Sequence, residues 1–387
     1  MNTVLTNRIE GSDAPEIREI RVGFMPLTDC ASLVIASALK FDEKHGIKIV
    51  LSKEVSWAGV RDRLIGGELH AAHALYGLIY GVHMGIGGAP RAMSVLMTLN
   101  RNGQGITLSG ELGKRGATSG AALKSLMDRD RRDLVLAQTF PTGTHAMWLY
   151  YWLASHGIDP LNDAGIVTLP PPQMVRSMRM AKVDGYSAGE PWNSLAIREH
   201  AGFTVATSQE IWPDHPEKVL GCTAEFAKKY PNSSRALIMA VLEASRYVDE
   251  MENRDKVSEI IAGEAYIDCQ VGMIEPRMKG DYEDGLGRKW KDPDCIKFCD
   301  QGEVNFPYLS DGMWFLTQFR RWGLLKQDPD YLAVAREINQ IELYRQAADQ
   351  VKMPLPGDAM RTSKLMDGKV WDGRDPAGYA SGFAIKA

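Results

Sequence analysis

The stretch LVLAQTFPTGTHAMWLYYWLASHG, residues 134–157, joins a short apolar run to a longer aromatic one through a turn of Pro, Thr and Gly. The first run predicts a buried strand over 134–140, and helical spacing of apolar residues predicts a helix over 144–157. A strand that leads into a helix in this way is the unit of α/β proteins. Peptide N–H groups at a helix start favour an anion, so this turn is the first candidate ligand site.

The same strand–helix alternation extends on both sides of this unit and predicts a largely parallel sheet. Helices are predicted over 29–46, where Asp29 is a candidate N-cap, and from Ser56. Beyond about residue 225 the pattern becomes mainly helical. The other predicted strands lie at 16–25, 47–55, 70–77, 91–99, 105–110, 165–170 and 185–189.

This organisation predicts an α/β protein of two lobes with a central ligand cleft and a helical C-terminal part. Ligands of such sheets collect outside the carboxyl ends of the strands. The predicted divisions are a flexible leader over 1–15, the first part of lobe 1 over 16–110, lobe 2 over 111–215, and a return to lobe 1 over 216–387. That last region ends in an extended strap from about residue 355.

Composition and charge exclude several classes of protein. The 387 residues carry a net charge of −4, which offers no basic field for nucleic acid. No apolar run reaches the roughly 20 residues of a membrane span. The N-terminal residues lack the apolar core of an export signal, and five scattered cysteines do not suggest a disulfide framework. We therefore expect a cytoplasmic location.

Cofactor, metal and nucleophile signals are weak. The glycines of GIGGAP at 85–90 do not have GxGxxG spacing, which argues against a nucleotide cofactor. His70 and His73 are not spaced as metal ligands on one helix face, and we expect them to be strand or core residues. Cys295 and Cys299 could share a helix face but have no second pair nearby. Cys30 lies at a strand–helix junction, where a thiol pKa can fall, yet a small buried thiol is the simpler interpretation.

Polar residues at the strand–helix junctions form a more coherent set. Each has an ordinary explanation as a core Trp, a turn amide, a cap or a surface Lys. Together they supply several N–H donors and one fixed positive charge, which suits an inorganic anion. On spacing alone this interpretation is only slightly better than the ordinary one. The set comprises Trp57, Gln104, His145 and Lys218, with the backbone N–H groups of Gly143 and Thr144.

Seven motifs distributed over nearly the whole chain carry a family resemblance. They are VGFMPLTDCASLVIA, VSWAGVRDRLIGGELHAAHAL, PTGTHAMWLYYWL, PPPQMV, GEPWN, HPEKVLG and GKVWDGRDPAGYASGF. In this order they closely resemble nitrate- and bicarbonate-binding proteins related to ABC-transporter receptors. The resemblance implies a type II periplasmic-binding-protein fold, in which two α/β lobes close over a small anion.

The resemblance also implies which residues hold the ligand. It places nitrate among Trp57, Gln104, His145 and Lys218, near the Gly143–Thr144 backbone. Bicarbonate-binding relatives carry an acidic residue in place of Lys218, so this lysine favours nitrate or nitrite. We accordingly expect Lys218→Ala or Lys218→Glu to weaken nitrate binding severely and leave folding intact. The cleft wall is expected from Pro172, Glu190, Pro191 and Trp192.

The function implied by the resemblance is that of a cytoplasmic NasS-type sensor. Such a sensor holds an RNA-binding antiterminator of the NasT (ANTAR) type and releases it when nitrate or nitrite binds. Two alternatives remain: the binding component of a nitrate ABC transporter, and, as the weakest, a Cys30-dependent enzyme on the same fold. The favoured interpretation requires no catalytic residue, metal or cofactor and no direct contact with nucleic acid or membrane.

Overall fold

The computed structural model describes residues 13–130 and 133–387, so most of the predicted leader over 1–15 lies outside the described residues. The strands are β1 (Glu19–Phe24), β2 (Lys48–Lys53), β3 (Ala71–Leu75), β4 (Met93–Thr98), β5 (Gln104–Ser109), β6 (Leu134–Gln138), β7 (Ala164–Thr168), β8 (Gly185–Gly189), β9 (Gly202–Thr207), β10 (Lys218–Thr223), β11 (Asp281–Glu283), β12 (Lys289–Lys291), β13 (Ser363–Lys364) and β14 (Val370–Trp371).

Helices separate most of these strands. They are α1 (Ala31–Ala38), α2 (Phe41–Lys44), α3 (Trp57–Ile65), α4 (Tyr76–His83), α5 (Gly110–Lys114), α6 (Gly120–Asp130), α7 (Thr144–Ser155), α8 (Pro171–Arg179), α9 (Trp192–Arg198), α10 (Ser208–Ile211), α11 (Ala224–Lys229), α12 (Pro231–Asp249), α13 (Arg254–Ala262), α14 (Glu275–Met278), α15 (Leu309–Arg321), α16 (Tyr331–Ile338), α17 (Ile341–Gln350) and α18 (Pro376–Ser381). No helix in the described part of the chain is both long enough and apolar enough to cross a bilayer.

Two five-stranded sheets define two lobes, which confirms the predicted fold class. The order is β2-β1-β3-β10-β4 in lobe 1 and β7-β6-β8-β5-β9 in lobe 2. The sheets are mixed rather than largely parallel. Strand β10 runs antiparallel to both β3 and β4, and β5 runs antiparallel to both β8 and β9. Each antiparallel strand is the first one after the chain crosses between lobes, so it enters its sheet from the opposite end.

The two crossings lie at residues 99–103 and 208–217. Because β5 belongs to the second sheet, the first crossing precedes the predicted boundary at residue 110. Arg101 forms isolated bridges with Pro216 and with Lys297, so three chain segments run side by side at the junction. Asn102 has a positive φ of 61°, a sharp backbone bend immediately before β5.

The predicted helix over 29–46 is two helices. Helix α1 ends at Ala38, and Lys40 adopts a left-handed φ of 64°, which terminates the helical path. The buried carboxylate of Asp42 in α2 accepts the N–H of Ile49 at 2.7 Å. This contact docks α2 against β2, a tertiary interaction that helical periodicity does not reveal.

The C-terminal region extends beyond lobe 1. Helix α12 packs on α1 and α17, but the segment 270–297 passes to lobe 2, where buried Arg277 pairs with Glu190 of the β8–α9 turn. The strap then packs along α15, with Trp371 Nε1 donating to the Ser310 carbonyl at 2.8 Å. The chain therefore ties the lobes together at more places than its two crossings.

Candidate functional site

A cluster of polar side chains fills the junction between the lobes. Every member is at most 1% exposed, and each lies at an element boundary or in a core strand. Gln104 and Lys218 are the first residues of β5 and β10, and His145 is the second residue of α7. We call this set the central cluster: Asp29, His73, Gln104, His145, Glu217 and Lys218.

Lys218 is the cation of the central cluster, and it is already paired. Its Nζ lies 2.7 Å from Asp29 Oδ2 and 2.7 Å from Glu217 Oε1. The same Nζ lies 5.7 Å from the centre of the Trp57 ring. Burial disfavours the charged lysine, but the two carboxylates outweigh burial and raise the pKa of Lys218.

Asp29 joins lobe 1 to lobe 2. Its Oδ1 accepts from His73 Nε2 at 2.7 Å, and its Oδ2 accepts from Gln104 Nε2 at 3.1 Å as well as from Lys218. Burial acts to raise the pKa of this carboxyl, but Lys218 and His73 lower it well below its usual range. The expectation that Asp29 caps a helix is wrong, because this carboxylate is committed to the central cluster.

Glu217 connects the second crossing to α7. Its Oε1 accepts from Thr144 Oγ1 at 2.5 Å, and its Oε2 accepts from Trp148 Nε1 at 3.0 Å. Burial opposes ionisation, but Lys218 and neighbouring histidines lower the pKa of this carboxyl. Glu217 is therefore a buried, ionised group that orients the start of α7.

The hydrogen bonds fix the neutral form of His145. Gln104 turns its Nε2 towards Asp29, so its Oε1 accepts from His145 Nε2 at 2.8 Å. His145 Nδ1 lies 2.9 Å from Thr139 Oγ1. Burial is the main cause that lowers the pKa of His145 to about 4. At neutral pH His145 is thus an uncharged donor through Nε2.

The other nearby histidines are also uncharged. His73 donates through Nε2 to Asp29, while its Nδ1 faces the N–H of Met25 at 3.4 Å. His215 donates through Nδ1 to the Pro216 carbonyl at 3.1 Å. Burial lowers the pKa of His73, and it lowers that of His215 to about 4.

The charge of the site differs from the sequence-based expectation. That expectation held one positive charge and no carboxylate, whereas the central cluster holds Asp29 and Glu217 against Lys218. With neutral histidines its net charge is −1. The sequence offered one signal, because Glu217 directly precedes Lys218 and adjacent residues leave the second crossing together.

The remaining predicted hydrogen-bond donors lie at the starts of two helices. Trp57 is the first residue of α3, and its Nε1 is buried without a partner among the described residues. Gly143 is the N-cap of α7, and its N–H already donates to the Phe140 carbonyl at 2.9 Å. The N–H groups of Thr144 and His145 lie in the first turn, where amides have no acceptor within the helix. Trp57 and this first turn are therefore the unsaturated donors of the predicted set.

The structure places the predicted cleft-wall residues at two different locations. The Glu190 carbonyl accepts from the Thr28 N–H at 2.8 Å, a direct contact between the lobes. Pro191 follows a cis peptide bond, and Trp192 begins α9 half-buried. Pro172 is exposed in a surface groove between α8 and α9, a different place from the central cluster.

The cysteines give no catalytic arrangement. Cys30 is fully buried, and burial together with Asp29 raises its thiol pKa far above the usual range, which suppresses the nucleophilic thiolate. Cys295 and Cys299 lie in a non-helical segment and do not share a helix face. Within residues 13–130 and 133–387 no three His, Cys, Asp or Glu side chains form a potential metal site.

Comparison with known proteins places the chain in a family. It is 37% identical over 395 residues to the nitrate/nitrite binding protein NrtA of Synechococcus elongatus, covering 97% of this chain and 88% of that protein. The bicarbonate transport ATP-binding protein CmpC of that species is 32% identical, with 95% of this chain and 55% of CmpC covered. The crystal structure of the periplasmic nitrate-binding protein NrtA from Synechocystis superposes with a TM-score of 0.91 at 33% identity, covering 97% of this chain and 100% of the other. These NrtA relatives are named as binding proteins, in agreement with the expectation that the chain is not an enzyme. Because the NMT1-like family profile also matches residues 13–262, the chain belongs to the NMT1-like family.

Proposed function

We propose that this protein binds nitrate or nitrite between its two lobes. The observation that carries the proposal is a buried set of N–H donors at the lobe junction. It comprises the unpartnered Nε1 of Trp57, the backbone N–H groups in the first turn of α7 and the ammonium of Lys218. The names of the NrtA relatives support the same ligand class.

The carboxylates favour a singly charged anion. Asp29 and Glu217 already outnumber the cation of Lys218, so a dianion such as sulfate would meet more repulsion than nitrate. Bicarbonate carries an O–H that needs an acceptor. Asp29 Oδ2 and Glu217 Oε1 each already accept two hydrogen bonds from the protein. Nitrate and nitrite only accept, which suits the remaining donors.

Calorimetric titration with nitrate, nitrite and bicarbonate at one pH and salt concentration tests the ligand. We expect saturable binding of nitrate or nitrite and none of bicarbonate. Trp57→Phe keeps the ring and removes the free indole N–H, so it should weaken binding about tenfold, the effect of one net hydrogen bond. The matched control is Trp322→Phe, which also removes a buried indole N–H without a hydrogen-bond partner. Because the Trp322 ring packs on Arg321 and not in the central cluster, this variant should not change the affinity. Bicarbonate binding alone, or equal effects of the two variants, would contradict the proposal.

For the biological role, the relatives favour the binding component of a nitrate ABC transporter, since the Synechocystis protein is described as periplasmic. A cytoplasmic sensor that holds an ANTAR-type antiterminator is the second candidate. It is supported by five free cysteines, all within the described residues, because free thiols suit a reducing compartment.

One pair of assays separates the two roles. The sensor predicts a stable complex with a purified ANTAR-type antiterminator that dissociates when nitrate is added. The receptor predicts nitrate-dependent stimulation of the ATPase activity of a reconstituted importer, and no such complex. Both assays use the ligand identified by calorimetry.

A further inference from the structure

The charge of the central cluster raises a difficulty for anion binding. Asp29 and Glu217 carry two negative charges, Lys218 carries one positive charge, and all three side chains are at most 1% exposed. A monovalent anion placed in this cluster would take its net charge from −1 to −2. Buried excess charge is costly, and proteins usually relieve it by shifting a protonation equilibrium.

We propose that the protein takes up its anion together with one proton, and that His145 accepts this proton at Nδ1. The inference rests on the proposed function, because it concerns the charge balance of the same site. The protonated imidazole restores a net charge of −1 to the occupied cluster. No bond other than N–H is formed, and the proton comes from the solvent.

Hydrogen bonding distinguishes His145 from the other two histidines. Its Nδ1 faces the hydroxyl of Thr139 at 2.9 Å, and a hydroxyl both donates and accepts. Rotation of that hydroxyl lets protonated Nδ1 donate to Thr139 Oγ1, while Nε2 continues to donate to Gln104 Oε1. Both N–H groups of the imidazolium are therefore satisfied without movement of the ring.

His73 and His215 do not have this property. The Nδ1 of His73 faces the backbone N–H of Met25, a group that cannot accept a hydrogen bond. The Nε2 of His215 is buried without a partner among the described residues, and its ring packs edge-on against Trp148 at 4.5 Å. Protonation would leave a charged N–H without an acceptor in either case.

The groups that face His145 come from every element around it. Glu217 Oε1 lies 3.6 Å from Nε2, and Asp29 adds a second negative charge. Lys218 and, when protonated, His215 oppose a charge on His145, as does the start of α7. Burial now keeps the pKa of His145 near 4, and a neighbouring anion raises it. Proton uptake then accompanies binding at every pH between the pKa values of the free and the occupied protein.

The test is titration of the purified protein with sodium nitrate in buffers of different ionisation enthalpy. We expect the observed enthalpy to depend on the buffer, with uptake approaching one proton near pH 5.5 and vanishing near pH 8. Since the bound state holds more protons, affinity falls as pH rises, by roughly tenfold between pH 5.5 and 7.5. Nitrate binding with no buffer dependence at either pH would overturn the proton proposal and leave nitrate binding intact. No nitrate binding at all would instead overturn the proposed function.

Two variants of Thr139 test whether His145 Nδ1 accepts the proton. Thr139→Val preserves the shape of the side chain and removes the acceptor for protonated Nδ1. We expect it to abolish proton uptake and flatten the pH profile, with affinity near pH 8 changed less than threefold. Thr139→Ser keeps the hydroxyl and should retain the wild-type profile. Unchanged proton uptake in a folded Thr139→Val variant would exclude His145. If added K⁺ or Ca²⁺ changed the nitrate affinity and pH did not, a cation and not a proton would accompany the anion, which would overturn the proposal.

Discussion

Replacement of Lys218 by Met removes the cation between two buried carboxylates and keeps a side chain of similar length. Lys218 Nζ is 2.7 Å from an oxygen of Asp29 and 2.7 Å from an oxygen of Glu217. Loss of one partner from a buried ion pair costs about 3–5 kcal/mol, because the opposite charge remains buried. We expect Lys218→Met to lower the free energy of unfolding at pH 7 by this amount, contrary to the sequence-based expectation that folding stays intact.

The assay is thermal unfolding followed by calorimetry or circular dichroism. An unfolding entropy of about 2.1 cal/mol/K per residue gives roughly 0.8 kcal/mol/K for this chain, so the expected fall in Tm is about 4–6 °C. The matched control is Lys297→Met. Lys297 Nζ is also 2.7 Å from a carboxylate oxygen, that of Asp214, but its side chain is 22% exposed. Exposed pairs contribute at most about 1 kcal/mol, so the control should lose about 1 °C.

The pH dependence provides the sharpest criterion. In the wild type the pKa values of Asp29 and Glu217 are lowered, which stabilises the folded protein above the pKa of the unfolded carboxyls. Without Lys218 burial raises both pKa values, which destabilises the fold in that same range. The difference between variant and wild type should therefore be large at pH 7 and shrink towards pH 4. A Lys218→Met variant as stable as Lys297→Met at pH 7, or a difference independent of pH, would refute this reasoning.

Two further predictions concern lobe closure and the buried thiol. A Cβ at Gly77 of α4 would lie 2.0 Å from an atom of Thr142 in lobe 2, and a Cβ at Gly81 would lie 2.5 Å from one. Because such contacts would hold the lobes apart, Gly77→Ala and Gly81→Ala should weaken nitrate binding at least tenfold. Both variants should also increase the radius of gyration measured by X-ray scattering. Gly88→Ala, which meets no atom within 4 Å, should do neither. Cys30 should react with a thiol reagent only after unfolding, and Cys30→Ala should retain nitrate affinity. Rapid labelling of the folded protein, or loss of binding in the variant, would instead favour the alternative of a Cys30-dependent enzyme.

The sequence located most strands and helices because their apolar patterns are local. It could not give the direction of β5 and β10, since strand polarity in a sheet depends on where the chain re-enters and not on side-chain periodicity. Strand β9 was not predicted, because GFTVAT is short and half polar. The break at Lys40 was also missed, because the helical pattern continues across it while the docking of Asp42 onto β2 decides the geometry.

The central cluster could also be predicted only in part. Gln104, His145 and Lys218 were identified at strand–helix junctions, and the structure brings all three together. Asp29 and His73 were assigned ordinary local roles, as a cap and as a core residue, because neither has an unusual neighbour in sequence. Their shared role arises only when β3 and the turn at 28–30 converge within lobe 1. Long-range charge pairing of this kind has no local signature.

The internal carboxylates connect anion affinity to lobe closure. Asp29 in lobe 1 accepts from Gln104 in lobe 2, and Glu217 at the crossing accepts from Thr144 at the start of α7. The donors that hold the lobes together therefore include donors proposed to bind the anion, and carboxylate and anion compete for them. An anion can favour the closed protein only by the difference between its own contacts and those that it replaces. Such competition would limit affinity and, with a proton entering alongside the anion, would let pH set the point at which the lobes release it.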